Sequence, residues 1–336
     1  MANKKIGKQT VKLSTPPTIS SVYSIVGPKE GKGPLAKYFD IIIDDESWGE
    51  KTWEKAESKM VKECVSGCLG KEKVSNEDID YIFSGDLLNQ CVSSCFGIRE
   101  RQIPYFGIFG ACSTFVEGLS LGSMLIDGQM ADNVLCSTSS HFCSAEKQFR
   151  FPLELGNQRP PSAQWTVTGS GTALLKSNGQ GPFITHVTTG KIVDMGIKDV
   201  NNMGAAMAPA AVDTLYTHFK DTGRAPSYYD LILTGDLGHI GKEIVKELME
   251  SRGYNLNNNY NDCGCLIFDK SEQDTHAGGS GCACCATTFC GYVFNQLQSK
   301  KIKRVLLCAT GALMSPTTAQ QNESILGIAH AVSIEI

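Results

Sequence analysis

Apolar and polar positions alternate along the chain in two distinguishable rhythms. Residues 50–69 set Trp53, Ala56, Met60, Val61, Cys64 and Cys68 along one face at helical spacing, so an amphipathic helix is expected there. Ile19–Val26 reads as a strand, and Ile79–Ser84 is a continuous apolar run, as expected of a strand covered on both faces. Residues 113–129 are small and apolar with no polar stripe, which predicts a helix buried all round. Strands are expected at Val134–Ser137 and Gly169–Leu175. From Pro182 the scheme continues with a helix at 205–220, a strand at 230–235 and a helix at 240–252. The insert 253–278, with Asn255-Leu256-Asn257-Asn258-Asn259, reads as loop. A buried helix at 282–298 and strands at 304–310 and 325–335 complete the chain, and residues 1–17 read as a polar surface arm.

The order of these elements occurs twice. Tyr81-Ile82-Phe83-Ser84-Gly85-Asp86-Leu87 is echoed by Leu231-Ile232-Leu233-Thr234-Gly235-Asp236-Leu237. A small-residue turn with Cys112 is echoed by one with Cys284, and Cys136-Ser137-Thr138 by Cys308-Ala309-Thr310. Such a repeat predicts two similar halves, residues 1–178 and 179–336. Strand alternating with helix argues an α/β fold with mainly parallel sheets. Two buried helices at equivalent places, starting at Cys112 and near Cys284, should pack together between two sheets, giving five layers, α-β-α-β-α.

Composition narrows the picture further. Hydrophobic residues make up 41% and charged residues 20%, as in a packed globular protein, and the formal net charge of −4 gives no reason to expect nucleic-acid binding. No apolar run is long enough to cross a bilayer, and the basic start is followed by Ser14-Thr15-Pro16-Pro17, not by the apolar core of a signal peptide. Fourteen cysteines with no export signal read mostly as small buried thiols. The spacing of Cys263, Cys265, Cys282, Cys284 and Cys285 fits no standard zinc pattern, so no metal site is expected, and Gly27-Pro28-Lys29-Glu30-Gly31-Lys32-Gly33 lacks phosphate-loop spacing.

Cys112 is the leading chemical residue, because a helix N-terminus stabilises a thiolate. A duplicated βαβαβ chain with Cys in this place resembles the thiolase superfamily. Gly110-Ala111-Cys112 resembles the nucleophile segment of 3-oxoacyl-acyl-carrier-protein synthase III, Gly169-Ser170-Gly171-Thr172-Ala173 its Gly-rich turn between halves, and His276-Ala277-Gly278-Gly279-Ser280-Gly281 its late Asn or His loop. The run from Ser139 to Pro152, with Gln158-Arg159-Pro160-Pro161 and Gln164-Trp165-Thr166-Val167-Thr168-Gly169, is similar to the stage V sporulation protein AD family. That resemblance implies a soluble protein of the system that moves dipicolinic acid (pyridine-2,6-dicarboxylic acid) into the forespore. It implies binding of that acid, membrane partners among the other stage V sporulation A proteins, and a peripheral place at the forespore inner membrane. It leaves open whether calcium accompanies the ligand. No other cofactor is expected, and a homodimer is, since superfamily relatives are usually two-fold dimers.

The chain departs from the synthase pattern at the residues that assist the cysteine. The synthase His that closes the strand matching Leu231–Thr234 falls on Gly235 or Asp236, and the nearest imidazole is His239, about four residues on. His276 takes the Asn place. A retained pocket with weak or absent condensing activity is therefore expected, the alternative being an acyltransferase working through acyl-Cys112. A planar dianion needs donors about a ring-width apart, an apolar wall and no nearby carboxylate. Ser137, Thr138, Ser139 and His141 at a strand end, the N–H groups after Cys112, and Arg150 and Arg159 are the candidates to supply it.

Overall fold

The computed structural model describes residues 3–149, 158–256 and 259–336. In the N-terminal part the strands are β1 (Lys5–Ile6), β2 (Thr10–Lys12), β3 (Thr18–Val26), β4 (Ile41–Ile42), β5 (Tyr81–Gly85), β6 (Tyr105–Gly107), β7 (Asn133–Ser140), β8 (Trp165–Thr166) and β9 (Gly169–Lys176). The C-terminal part supplies β10 (Phe183–Thr188), β11 (Leu231–Thr234), β12 (Tyr260–Asp262), β13 (Gly279–Ser280), β14 (Arg304–Leu313) and β15 (Leu326–Glu335). The helices are α1 (Trp53–Glu72), α2 (Val92–Ile98), α3 (Thr114–Asp127), α4 (Phe142–Phe149), α5 (Met203–Thr222), α6 (Gly238–Ser251), α7 (Cys263–Leu266), α8 (Cys282–Thr288), α9 (Phe294–Gln298) and α10 (Pro316–Gln320). A π-turn over Phe289–Val293 joins α8 to α9.

The repeat read from the sequence is a repeat of topology. The first half orders its strands β3-β9-β7-β5-β6 and the second β10-β15-β14-β11-β12. Numbered within each half, both read first, fifth, fourth, second, third. In each, the fifth strand runs antiparallel to its two neighbours and the remaining two pairings are parallel. The expectation of mainly parallel sheets is corrected accordingly: the last strand of each half returns along the sheet, so each half is evenly mixed. Phe183 pairs with Thr18, which joins the two halves into one continuous sheet.

Five layers follow. Helices α1 and α2 cover the first half-sheet, α5 and α6 cover the second, and α3 and α8 lie between. The rings of Phe115 and Phe289, both fully buried, meet at 5.9 Å across this middle layer. All of α8 is buried, and its approach to the first half-sheet is permitted by glycine. A Cβ on Gly171 of β9 would stand 2.6 Å from the Ala286 backbone. Gly169–Ala173 is thus a strand with room for a helix rather than a turn between halves.

Three further expectations are corrected. Helix α3 is not buried all round, since Leu121 is exposed and Met124 and Leu125 are half-buried. Residues 3–15 are no loose arm: β1 and β2 pair, β2 adds to β10, and Asp221 accepts the N–H groups of Lys8, Gln9 and Thr10. The insert 253–278 also holds β12 and α7, elements too short to carry a periodicity.

Candidate functional site

Cys112 stands at the entry to α3 in the middle layer. Ala111 just before it is held at φ 49°, a left-handed conformation uncommon without glycine. The turn is fixed locally: Ser113 Oγ donates to the Gly110 carbonyl (2.7 Å), and the Gly110 N–H donates to Thr114 Oγ1 (3.0 Å). From the other half, Gly311 of β14 comes so close that a Cβ there would lie 2.3 Å from the Gly110 oxygen. The bare glycine lets the second half-sheet touch the nucleophile turn.

The group that meets the Cys112 thiol is a carboxyl. Asp236, fully buried just past the end of β11, lies close enough to Cys112 for the charge of each to act on the other. Thr310 Oγ1 donates to its Oδ1 (2.7 Å) and the Gly281 N–H to its Oδ2 (3.2 Å). Burial, with the charge of nearby Asp262, pushes Asp236 up to about 7. Burial and the charge of Asp236 push the Cys112 thiol well above its ordinary value. The helix N-terminus therefore does not yield a thiolate here: desolvation and an adjacent acid outweigh it. Asp262 is itself pushed up to about 6, chiefly by burial, and accepts Thr234 Oγ1 and the N–H groups of Leu237, Gly238 and Gly264.

Over Cys112 lies a cavity of about 110 Å³, room for several water molecules or one small ring. Phe109, Phe149, Met203, Ala312 and Met314 give it apolar walls, and Thr166, Asn201, Ser280 and Gln164 bring polar groups. Gln164 is locked in place, its Nε2 donating to the carbonyls of Asp236 (2.5 Å) and Gly279 (2.9 Å). Glu146 of α4 also lines the cavity. None of the described lining residues is Lys, Arg or His.

Of the described residues singled out from sequence as site candidates, Cys112 alone lines this cavity. His239 starts α6 and donates its N–H to the Ala277 carbonyl (2.8 Å), and His276 pairs with Asp274 at 3.1 Å. Neither imidazole lines the cysteine's cavity, whereas Ser280, four residues after His276, does. Ser137 is spent on Thr172 (2.8 Å), Thr138 donates to the Cys282 carbonyl (3.3 Å) and Ser139 to Glu57 (2.9 Å). His141 is fully buried: its Nδ1 accepts the Cys143 N–H and its Nε2 bonds the Glu46 carbonyl (2.7 Å). Arg159 lies 4.8 Å over the Trp165 ring, next to the cavity residue Thr166, and Arg150 lies outside the described residues. The expected convergence of the strand-end hydroxyls on one cavity is corrected: their side chains turn into the sheet interfaces. So is the expectation of no nearby carboxylate. Gln164 and Ser280 were missed as cavity residues, although both lie in the stretches that carry the family resemblance.

The comparisons with known proteins agree along the whole chain. The family model described as stage V sporulation protein AD matches residues 7–335. Stage V sporulation protein AD of Bacillus subtilis (strain 168) is 45% identical over 332 residues, covering 99% of this chain and 98% of that protein. The chain belongs to the stage V sporulation protein AD family. Its sporulation membership thus rests on sequence, and its thiolase-like fold is seen in solved structures. The 3-oxoacyl-[acyl-carrier-protein] synthase III of Aquifex aeolicus VF5 superposes with a TM-score of 0.58 at 13% identity, over 95% of this chain and 100% of that one. Cerulenin-bound OleA of Xanthomonas campestris gives 0.62 at 10% identity, over 96% and 99%. No helix among the described residues is long and apolar enough to cross a membrane.

Proposed function

We propose that this member of the stage V sporulation protein AD family is a binding protein that uses a thiolase-type cavity without thiolase chemistry, and that its ligand is dipicolinic acid. The observation that carries the reading is the buried Asp236 carboxyl beside Cys112, in place of an imidazole. A condensing enzyme needs a thiolate and neutral or cationic donors toward a thioester oxygen. A carboxyl beside the thiol opposes the first and supplies no oxyanion partner once ionised. The cavity suits a small flat acid: apolar walls for a ring, hydroxyl and amide groups at its rim, and the start of a 14-residue helix beneath it. Delivery to other stage V sporulation A membrane proteins, peripheral placement at the forespore inner membrane, calcium accompanying the acid, and a homodimer complete the proposal.

Isothermal titration with dipicolinic acid tests it, run beside an acetyl-coenzyme A turnover assay. Cys112→Trp, which fills the cavity, is expected to weaken binding at least tenfold, about 1.4 kcal/mol, while Cys290→Ala in the middle layer binds normally. Unchanged affinity in Cys112→Trp would put the ligand elsewhere. Steady release of free coenzyme A, abolished in Cys112→Ala, would favour the acyltransferase reading instead.

A further inference from the structure

We infer that an anionic ligand enters the cavity over Cys112 together with one proton, which Asp236 takes up and holds; this rests on the reading of that cavity as a carboxylate site. Asp236 does not line the cavity but adjoins its floor: its Oδ2 accepts the Gly281 N–H beside the lining residue Ser280, its carbonyl accepts the lining residue Gln164, and its charge acts on the lining residue Cys112. It is sealed from solvent, so an ionised Asp236 would face an incoming carboxylate with no water to screen the two.

The groups packed around Asp236 do not supply a counter-charge. Cys112 comes from the turn before α3, Cys282 and Cys284 from α8, and Asp262 from the end of β12, all neutral or acidic. Glu57 and Asp86 lie beyond Cys282, and Glu146 stands in the cavity wall. With no Lys, Arg or His among the described lining residues, a second negative charge is accommodated by neutralising the first. The surroundings allow that at little structural cost. Thr310 Oγ1 can donate or accept, so a protonated Asp236 can donate to it while the Cys112 S–H is left to face the ligand. The proton comes from solvent and no bond other than O–H forms. Asp236 already titrates near 7, so the exchange falls within the range of ordinary assays.

The test has two arms. In the first, dipicolinate binding to the full chain is measured by calorimetry at pH 7.5–8.5 in two buffers of different ionisation enthalpy. Wild type should take up close to one proton, and its affinity should fall about tenfold per pH unit above 7. Asp236→Asn, which mimics the protonated acid, should bind about tenfold more tightly than wild type at pH 8 and show neither uptake nor pH dependence. No uptake in wild type, or uptake that persists in Asp236→Asn, overturns the inference. The second arm needs no ligand. Cys112 is alkylated with iodoacetate and with neutral iodoacetamide, and the two rates are compared by peptide mass spectrometry, so that the thiolate fraction cancels. From pH 6 to 8 the iodoacetate rate should fall about tenfold relative to iodoacetamide in wild type, and a flat ratio overturns the inference. If dipicolinate fails to bind at any pH while this ratio moves as expected, the ligand proposed above is wrong and the proton-coupled site stands.

Discussion

At the scale of single residues, the acids set the behaviour of this molecule. Glu57 is buried between α1 and the end of β7, accepts Ser139 and Ser144, and is pushed up to about 8 by burial and by Asp86. Glu30, equally buried, accepts the Thr168 N–H and is also pushed up to about 8, mainly by burial. Both are raised above their unfolded values, so their stabilising effect is full below about pH 4.5 and is lost as pH rises through about 8. The thermal midpoint is expected to fall between pH 5.5 and 8.5. Glu57→Gln should gain on wild type at pH 8.5 by about 1–3 kcal/mol, roughly 2–4 °C per kcal/mol, and lose that advantage at pH 5. Scanning calorimetry across this range checks it, and a pH-independent difference would assign Glu57 a purely packing role. His141 belongs here too. Its ring holds backbone groups away from the cavity, so His141→Ala should lower the midpoint without changing affinity for dipicolinate. Cys112 was legible because the repeat and the family resemblance pointed at one position. The consequence of Asp236 was not, because a one-residue offset at a strand end decides whether a carboxyl faces a thiol or solvent, and spacing alone does not fix it.

At the scale of elements, the middle layer is the least tolerant. Gly171→Ala places a methyl against the Ala286 backbone, which cannot rotate away, so β9 and α8 must part. The same substitution at Gly70, where a Cβ meets nothing within 4 Å, serves as control. Loss of soluble, cooperatively unfolding protein is expected for the first and near-normal unfolding for the second. Phe289→Ala removes a fully buried ring at the π-turn and should cost about 3–5 kcal/mol in chemical denaturation. The long elements were readable because a stripe on α1 or an unbroken run on β5 spans enough residues to show a period. Strands β6 and β12, three residues each, and the outward turn of α3 were not: their state is set by neighbours distant in sequence.

At the scale of the whole molecule, the duplicated strand order was foreshadowed by the two Gly-Asp-Leu signatures, whereas the antiparallel return of each last strand was not, since apolar runs carry no direction. The segment that ties the halves together was misjudged because its residues are polar. Ser14 and Thr15 are held through their N–H groups by Asp127 of the first half, while Lys8, Gln9 and Thr10 are held by Asp221 of the second. Removing residues 1–13 should therefore lower stability by several kcal/mol, read as a shifted denaturation midpoint, although no cavity residue is touched. That stitch also has a history within each molecule. Thr10 leaves the ribosome 211 residues before the Asp221 that anchors it, an interval of roughly 10–40 s of synthesis. Through that interval the N–H groups of Lys8, Gln9 and Thr10 are without the carboxylate that anchors them. The earliest part of the chain is then among the last to find its place, and a chain released before β15 is made would keep an unfinished sheet margin at Phe183–Thr188.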